Sequence, residues 1–104
     1  MADKVIIVSA NIRAEMSGCD RNDAFINGGI FLMNLSYSLH YEEVAHCILT
    51  WAVEIEKDKV LRQMCSIEDN EVVIALMCCG VAPEEFDVAC SPRRDVAEIF
   101  SIIQ

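Results

Sequence analysis

Apolar positions gather into three short runs that predict strands. The first, residues 4–11 (KVIIVSAN), is rich in β-branched side chains and is typical of a strand buried on both faces. Residues 44–51 (VAHCILTW) predict a second short strand, and residues 71–79 predict a buried one that stops at Gly80. Residues 13–23 are rich in serine, glycine, asparagine and aspartate, and they predict a polar connection.

Helical spacing predicts three helices that alternate with these strands. Residues 25–41 (FINGGIFLMNLSYSLHY) are apolar almost all round the cylinder, which favours a central, buried helix. Residues 54–66 are amphipathic and predict a surface helix. Residues 95–103 predict a short closing helix with Ser91 or Asp95 as its cap. Strand and helix therefore alternate in the order of an α/β chain.

Two adjacent glycines, Gly28 and Gly29, interrupt the first predicted helix. Glycine destabilises a helix by about 1 kcal/mol relative to alanine, so a helical glycine calls for a reason. We interpret the pair as a place where another backbone or a ligand approaches closely. The alternative is that the glycines mark a frayed start of the helix.

Length and charge restrict the possible partners. A chain of 104 residues is one domain, with no linker and no internal repeat. Its 17 acidic and 8 basic residues give a net charge of −9, which would repel nucleic acid and an anionic membrane surface. The apolar 54% is not gathered into a span of about 20 residues, so no membrane helix is expected. Because so small a chain cannot bury that much apolar side chain by itself, we expect an oligomer.

The cysteine pattern predicts reduced thiols in the cytoplasm. The six cysteines are Cys19, Cys47, Cys65, Cys78, Cys79 and Cys90. Most lie inside apolar runs, and no signal peptide precedes them, which argues against a disulfide framework. They form neither the spaced pairs nor the cysteine and histidine clusters that zinc needs, so no metal site is predicted.

Single residues give few signals of catalysis. His40 and His46 have no acid and cysteine partners nearby, so each is interpreted as an ordinary hydrogen-bonded side chain. Trp51 ends an apolar strand, where a tryptophan usually belongs to the core. The carboxyl end of a strand is, however, also where ligands bind in α/β sheets.

Arg93 and Arg94 are the tight pair of arginines in this acidic chain. A planar guanidinium suits a phosphate group, and two of them create a local positive site. The alternative is a surface pair that bridges Asp87 or Asp95.

Three stretches, taken together, resemble the C-terminal half of the nitroreductase-like family of FMN-dependent oxidoreductases. They are "MNLSYSLHYEEVAHCILTW", "KDKVLRQMCSIEDNEVVIALMCCG" and "FDVACSPRRDVAEI". They follow the family's order, from a central helix through the tryptophan-bearing loop to a closing Ser-Pro-Arg segment. The resemblance extends over nearly the whole chain, so residues 1–104 are interpreted as one domain that resembles half of that fold.

The resemblance implies an α+β fold in which a mixed central sheet is flanked by helices. It implies an intertwined homodimer whose interface contains the long apolar helix and the FMN. It also implies an activity: NAD(P)H delivers hydride to the flavin, which then reduces a small-molecule acceptor such as a nitroaromatic or a quinone.

Residue by residue, the resemblance implies five candidate FMN-binding residues. Arg93 or Arg94 would hold the phosphate. Trp51, Ala52 and Val53 align with the loop whose backbone approaches the flavin edge near N5 and O4, where a donor would stabilise the negative charge of reduced flavin. No catalytic side chain is assigned.

The sequence also departs from the family pattern. Full-length members are considerably longer, and the Arg-x-Ser-x-Arg type motif that grips the FMN phosphate in their N-terminal half is absent here. Asn27 stands where the family often has aspartate. We therefore expect a partial or truncated version: a natural truncation, a fragment, a domain completed by a second chain, or a relative without catalysis. The last gives the alternative function, a flavin-free dimerisation or interaction module.

Overall fold

Strands and helices alternate along the computed structural model, which describes residues 1–14 and 20–103. The elements are β1 (Ala2–Asn11), a 3-10 helix (Ile12–Ala14), α1 (Asp23–Tyr41), β2 (Ala45–Thr50), α2 (Ile55–Cys65), β3 (Glu71–Gly80) and α3 (Val96–Ile99). All three predicted strands and the first two predicted helices are confirmed within a few residues. The predicted connection over residues 13–23 lies largely outside the described residues.

The sheet is antiparallel, with the strand order β1-β3-β2. The connection through α1 leaves β1 and β2 parallel to each other, but β3 inserts between them and runs against both. The mixed sheet that the resemblance implies is therefore not present in the described residues, because no two parallel strands are neighbours. The fold is a small α+β domain.

A bulge interrupts the pairing of β3 with β1. Val8 lies opposite Ala75, whereas the next residue, Ser9, lies opposite Val73, so Ile74 has no partner on β1. An extra residue of this kind bends the strand and redirects its side chain. Ile74 is the residue that meets α1 at its closest approach.

The core lies between α1 and one face of β3. Ala75, Met77 and Cys79 alternate along the strand and are buried, with Met77 completely inaccessible to solvent. His46 lies opposite Cys79 and therefore points to the same face. It contacts Ser36 of α1 through Nε2 and Oγ, 2.7 Å apart, and its Nδ1 donates to the Val44 carbonyl oxygen at 3.0 Å. His46 thus has the ordinary hydrogen-bonded role predicted for it.

The prediction that α1 is buried is wrong for the single chain. Ala24 and Gly28 are its buried residues, while Phe25, Ile30 and Phe31 are each more than half exposed. One helix touches a three-stranded sheet along one stripe, and the described residues of this chain leave the rest of its apolar surface uncovered. The apolar pattern indicates a helix whose surface is favourable to bury. The described residues of one chain bury only part of that surface.

The opposite face of the sheet is also open. Val5 and Leu49 point to this face and are 57% and 42% exposed, and Leu76 between them is half-buried. Among the described elements, α1 alone makes extensive contacts with the strands, and it lies on the other side. We call this surface, formed by Val5, Ile7, Cys47, Leu49, Leu76 and Cys78, the open face.

The C-terminal segment forms a single helical turn, Val96–Ile99, rather than the predicted helix over residues 95–103. Its start is as predicted, since the Asp95 carboxylate accepts a hydrogen bond from the Ala97 N–H at 3.2 Å. All residues from 81 to 103 are exposed. A helix this short is unfavourable without packing, and no apolar surface of the described chain covers it extensively.

The radius of gyration and the accessible surface show that this chain buries less of its surface than a compact domain of the same length. Its radius of gyration is 17.2 Å, whereas a compact domain of this length has about 13 Å. Its accessible surface is 8990 Å², compared with about 5,800 Å² for a compact monomer of this mass. The accessible surface that this chain has beyond that of a compact monomer is as large as the area that stable subunit interfaces bury.

The two glycines of α1 have different surroundings. A Cβ added to Gly28 would lie 2.7 Å from Cγ1 and 3.0 Å from Cγ2 of Ile74, whereas one added to Gly29 would meet nothing within 4 Å. Gly28 therefore does permit a close approach, but by a side chain of β3 rather than by the backbone or ligand that was predicted, and the prediction is wrong for Gly29. Because Ile74 is β-branched and stiff at χ1, it cannot readily move aside.

We expect Gly28→Ala and Gly29→Ala to change stability in opposite directions. Gly29→Ala should raise the free energy of unfolding by about 1 kcal/mol through helix propensity. At Gly28 the same gain is outweighed by overpacking against Ile74, so the free energy of unfolding should fall by about 1 kcal/mol. Urea unfolding monitored by circular dichroism measures both. Equal stabilisation by the two variants would contradict the packing of α1 on β3.

Candidate functional site

The loop between β2 and α2 is held by a polar network. The Trp51 indole N–H donates to Asp58 Oδ1 at 2.8 Å, and the other oxygen of this carboxylate accepts from Arg62 Nε. Arg62 also donates from Nη1 to the Glu68 carbonyl oxygen at 2.9 Å. Asp58 and Arg62 lie one turn apart on α2, where such pairs meet. The tryptophan is thus attached to the helix that follows it.

Arg62 and Trp51 both favour the ionised form of Asp58. The hydrogen bond from Arg62 is the larger cause and that from Trp51 the next, and together they lower the Asp58 pKa from its ordinary value of 3.8. Both side chains of the ion pair are half-buried, which shields the pair from solvent only in part. The carboxylate therefore stays charged at neutral pH and keeps the indole in place.

Beside this loop lies an open cavity of about 360 Å³. Its wall contains Phe25 from α1, Trp51 and Val53 from the loop, Asp58 from α2 and Val72 from β3. The wall combines two aromatic rings and aliphatic groups with one charged pair. Such a surface suits a flat, partly apolar molecule with a few polar atoms.

The backbone of the loop offers hydrogen-bond donors. Ala52 and Val53 are exposed, and their N–H groups donate to no acceptor among the described residues. Val53 contributes to the cavity wall, and the Trp51 network anchors the residue at the start of this loop. Of these three consecutive residues predicted from the sequence, Trp51 and Val53 contribute to the wall of one cavity and Ala52 does not.

Arg93 and Arg94 lie apart from this group. Both are exposed in the C-terminal segment, and neither belongs to the wall of the Trp51 cavity. Arg93 donates from Nη1 to Ser91 Oγ at 2.8 Å. Within the described part of the chain neither guanidinium is paired with Asp87 or Asp95. The alternative of a surface bridge is therefore wrong, and the two cations remain available to an anion.

Sequence reasoning missed Asp58 and Arg62. Their spacing of four residues on an amphipathic helix was a usable signal, since acid and base at this distance commonly pair. Their contact with Trp51 could not be read from spacing. It depends on the turn that the chain makes between β2 and α2.

A second open cavity of about 290 Å³ lies where the sheet meets the C-terminal segment. Cys47 and Cys78 contribute to its wall, together with Cys79, Pro83 and Phe86. This cavity was not predicted from the sequence. It is formed by residues of β2, β3 and the following segment that are distant in the chain.

Comparison with protein-family models, with curated proteins and with solved structures gave no match for this chain. None of the described helices has the length and apolar character required to cross a membrane. The interpretation of the site therefore rests on its own geometry and on the resemblance set out above.

We expect Asp58→Asn to lower stability at neutral pH and to have little effect in acid. The variant keeps an oxygen that accepts from the indole, but it removes the charge that Arg62 stabilises. Because the folded-state pKa of Asp58 is lowered, its contribution is present above the unfolded-state value and is lost as the pH falls through the folded-state value.

Urea unfolding at neutral and acid pH measures this difference, with the fluorescence of Trp51, the one tryptophan of the chain, as the signal. Asp69→Asn is the matched control, because Asp69 is exposed and belongs to no ion pair among the described residues. A loss of stability in Asp58→Asn that does not depend on pH would contradict the assigned network.

Proposed function

We propose that this chain is an FMN-dependent oxidoreductase of the nitroreductase family. It would transfer electrons from NAD(P)H to a small acceptor such as a nitroaromatic or a quinone. The observation that carries the proposal is the anchored loop, residues 51–53: Trp51 and Val53 line an open aromatic cavity, and the N–H groups of Ala52 and Val53 have no acceptor among the described residues. This is the loop that the resemblance assigns to the flavin edge.

The residues of the loop fit the group they would hold. The cavity volume of about 360 Å³ falls within the roughly 300–1,000 Å³ of small-molecule sites. Phe25 and Trp51 would exclude water from one side of a flat ring system, and the N–H groups of Ala52 and Val53 would donate to its edge. Donors fixed in advance stabilise negative charge at low reorganisation cost. When bound, FMN supplies the hydride and electron chemistry that the side chains lack.

The unpaired guanidinium groups support the assignment of the phosphate to Arg93 and Arg94. Neither guanidinium has a carboxylate partner among the described residues of a chain with a net charge of −9. A phosphate would satisfy both through charge-assisted hydrogen bonds. Since one chain leaves them away from the Trp51 cavity, we assign the complete pocket to the contact between two subunits of a homodimer.

The five cysteines among the described residues are all free thiols. Thiols persist where cellular reductants keep them reduced, so a cytoplasmic location is part of the proposal. The same compartment supplies NAD(P)H.

We expect the double variant Arg93→Ala/Arg94→Ala to weaken FMN binding at least tenfold. Each lost charge-assisted hydrogen bond costs about 1.5–3 kcal/mol, and about 1.4 kcal/mol is a factor of ten in affinity. The matched control is Arg13→Ala/Arg21→Ala, which removes two exposed guanidinium groups elsewhere in the chain. Quenching of flavin fluorescence on titration with the protein measures both affinities.

NAD(P)H oxidation in the presence of FMN and a quinone completes this test. Wild type and the control Arg13→Ala/Arg21→Ala should bind FMN and oxidise NAD(P)H, while Arg93→Ala/Arg94→Ala should do so poorly. Equal losses in both double variants would show a general charge effect and contradict the assigned phosphate site. A colourless wild-type protein that takes up no added FMN would contradict the enzyme itself.

The exposed surface of α1 favours a second candidate, a flavin-free dimerisation module. Phe31 is 58% exposed, and Phe25, Ile26 and Ile30 of the same helix are exposed to a similar extent. A stripe of this kind is typical of a subunit interface. Such a module would act by self-association through α1, and it would not require a cofactor.

We expect Phe31→Gln to weaken self-association at least tenfold, because truncating a large aromatic group at the centre of an interface commonly costs 2 kcal/mol or more. Met64→Gln is the matched control, since Met64 is equally apolar and 77% exposed on α2, away from α1. Sedimentation equilibrium measures both dissociation constants. An unchanged dimer in Phe31→Gln would remove α1 from the interface. A stable dimer that binds no flavin would favour the module over the enzyme.

A further inference from the structure

Two cysteines are direct partners across the β2–β3 ladder. Cys47 lies opposite Cys78 in the register of the antiparallel pair. Residues in such positions have Cα atoms about 4.5–5.5 Å apart and side chains on the same face. A disulfide requires a Cα separation of about 4.4–6.8 Å, so the backbone already meets this condition.

Both thiols are accessible. Cys47 is exposed, and Cys78 is half-buried on the open face of the sheet, opposite the side that α1 covers. Both contribute to the wall of the 290 Å³ cavity, which is open to solvent and wide enough to admit a small oxidant. The Cys47 Sγ is engaged in one weak contact, 3.8 Å to the Ile48 carbonyl oxygen, which a small rotation of the side chain would release.

The other described cysteines lack this arrangement. Cys79 lies next to Cys78 in the chain but points to the opposite face and is buried. Cys65 is on α2 and Cys90 is in the C-terminal segment, and neither is a register partner of another cysteine. Cys47 and Cys78 are therefore the one pair of described cysteines that are register partners in the sheet.

We propose that Cys47 and Cys78 are a redox modification site that forms a reversible cross-strand disulfide when the chain meets a peroxide. The exposed Cys47 thiolate attacks one peroxide oxygen, the O–O bond breaks, and a hydroxyl group remains on sulfur as a sulfenic acid. The departing oxygen takes a proton and leaves as water or an alcohol.

Cys78 then attacks this sulfur, the S–O bond breaks, and a second oxygen leaves as water while the S–S bond forms. Two thiols lose two electrons in total, and the peroxide gains them. Directly opposed Cβ atoms in a sheet lie about 4.5–5.5 Å apart, slightly wider than the roughly 3.5–4.5 Å of a relaxed disulfide. Because the bond would lie on the open face, thiols can attack it and restore both cysteines by thiol–disulfide exchange.

The proposal depends on the register of β2 and β3 and on the open face, and it does not depend on flavin binding. The test treats the purified full chain with hydrogen peroxide, blocks the remaining thiols by alkylation, and digests the protein with trypsin and a glutamate-specific protease. The expected product joins the peptide of residues 44–54 to that of residues 72–84, with fragmentation assigning the bond to Cys78 rather than Cys79. Dithiothreitol should restore both thiols.

Variants complete the test. Cys47→Ser and Cys78→Ser should each abolish the linked peptide, while Cys65→Ser and Cys90→Ser should retain it in wild-type yield. Circular dichroism establishes that each variant is folded, and Cys78→Ala replaces Cys78→Ser if the latter is not. A link that joins Cys78 to Cys79, a link between two chains, or oxidation of Cys47 without any link would overturn the proposal.

Discussion

Apolar side chains are buried only where another surface packs against them. In its described residues this chain has one sheet and one helix that packs on it, which is too little to bury all its apolar side chains. A sheet has two faces. Here α1 lies on one of them, against Met77 and Ala75, and the described residues leave the other face open. This limit explains the large radius of gyration, the exposed stripe of α1 and the unpacked C-terminal segment. It also explains why the candidate site is incomplete within one chain.

Local patterns predicted the elements well but not their arrangement. The runs around β1, β2 and β3 are short and apolar, and the amphipathic spacing of α2 is regular, so each element follows from its own residues. The insertion of β3 between β1 and β2 is set by packing between distant segments, which no local period records. For α1, the apolar pattern predicts that much of the helix surface is buried. It does not indicate whether this chain or a partner chain buries it.

The candidate site was predicted unevenly for the same reason. Trp51 was singled out because it ends a strand, and Val53 because the resemblance assigns it to the flavin loop; both contribute to one cavity wall. Asp58 was missed because its role depends on how the chain folds back after β2. The flavin roles of Arg93 and Arg94 stay predictions. What the structure adds is that neither guanidinium is neutralised by a carboxylate of the described chain.

The central claim is that a second surface completes this fold, and the mass of the wild-type protein in solution tests it most directly. Light scattering on the eluted peak of a sizing column, over a range of loading concentrations, should give a particle of twice 11.6 kDa. A folded protein that remains at 11.6 kDa at every concentration would contradict the account, because the exposed apolar stripe of α1 would then be stable in water without a partner.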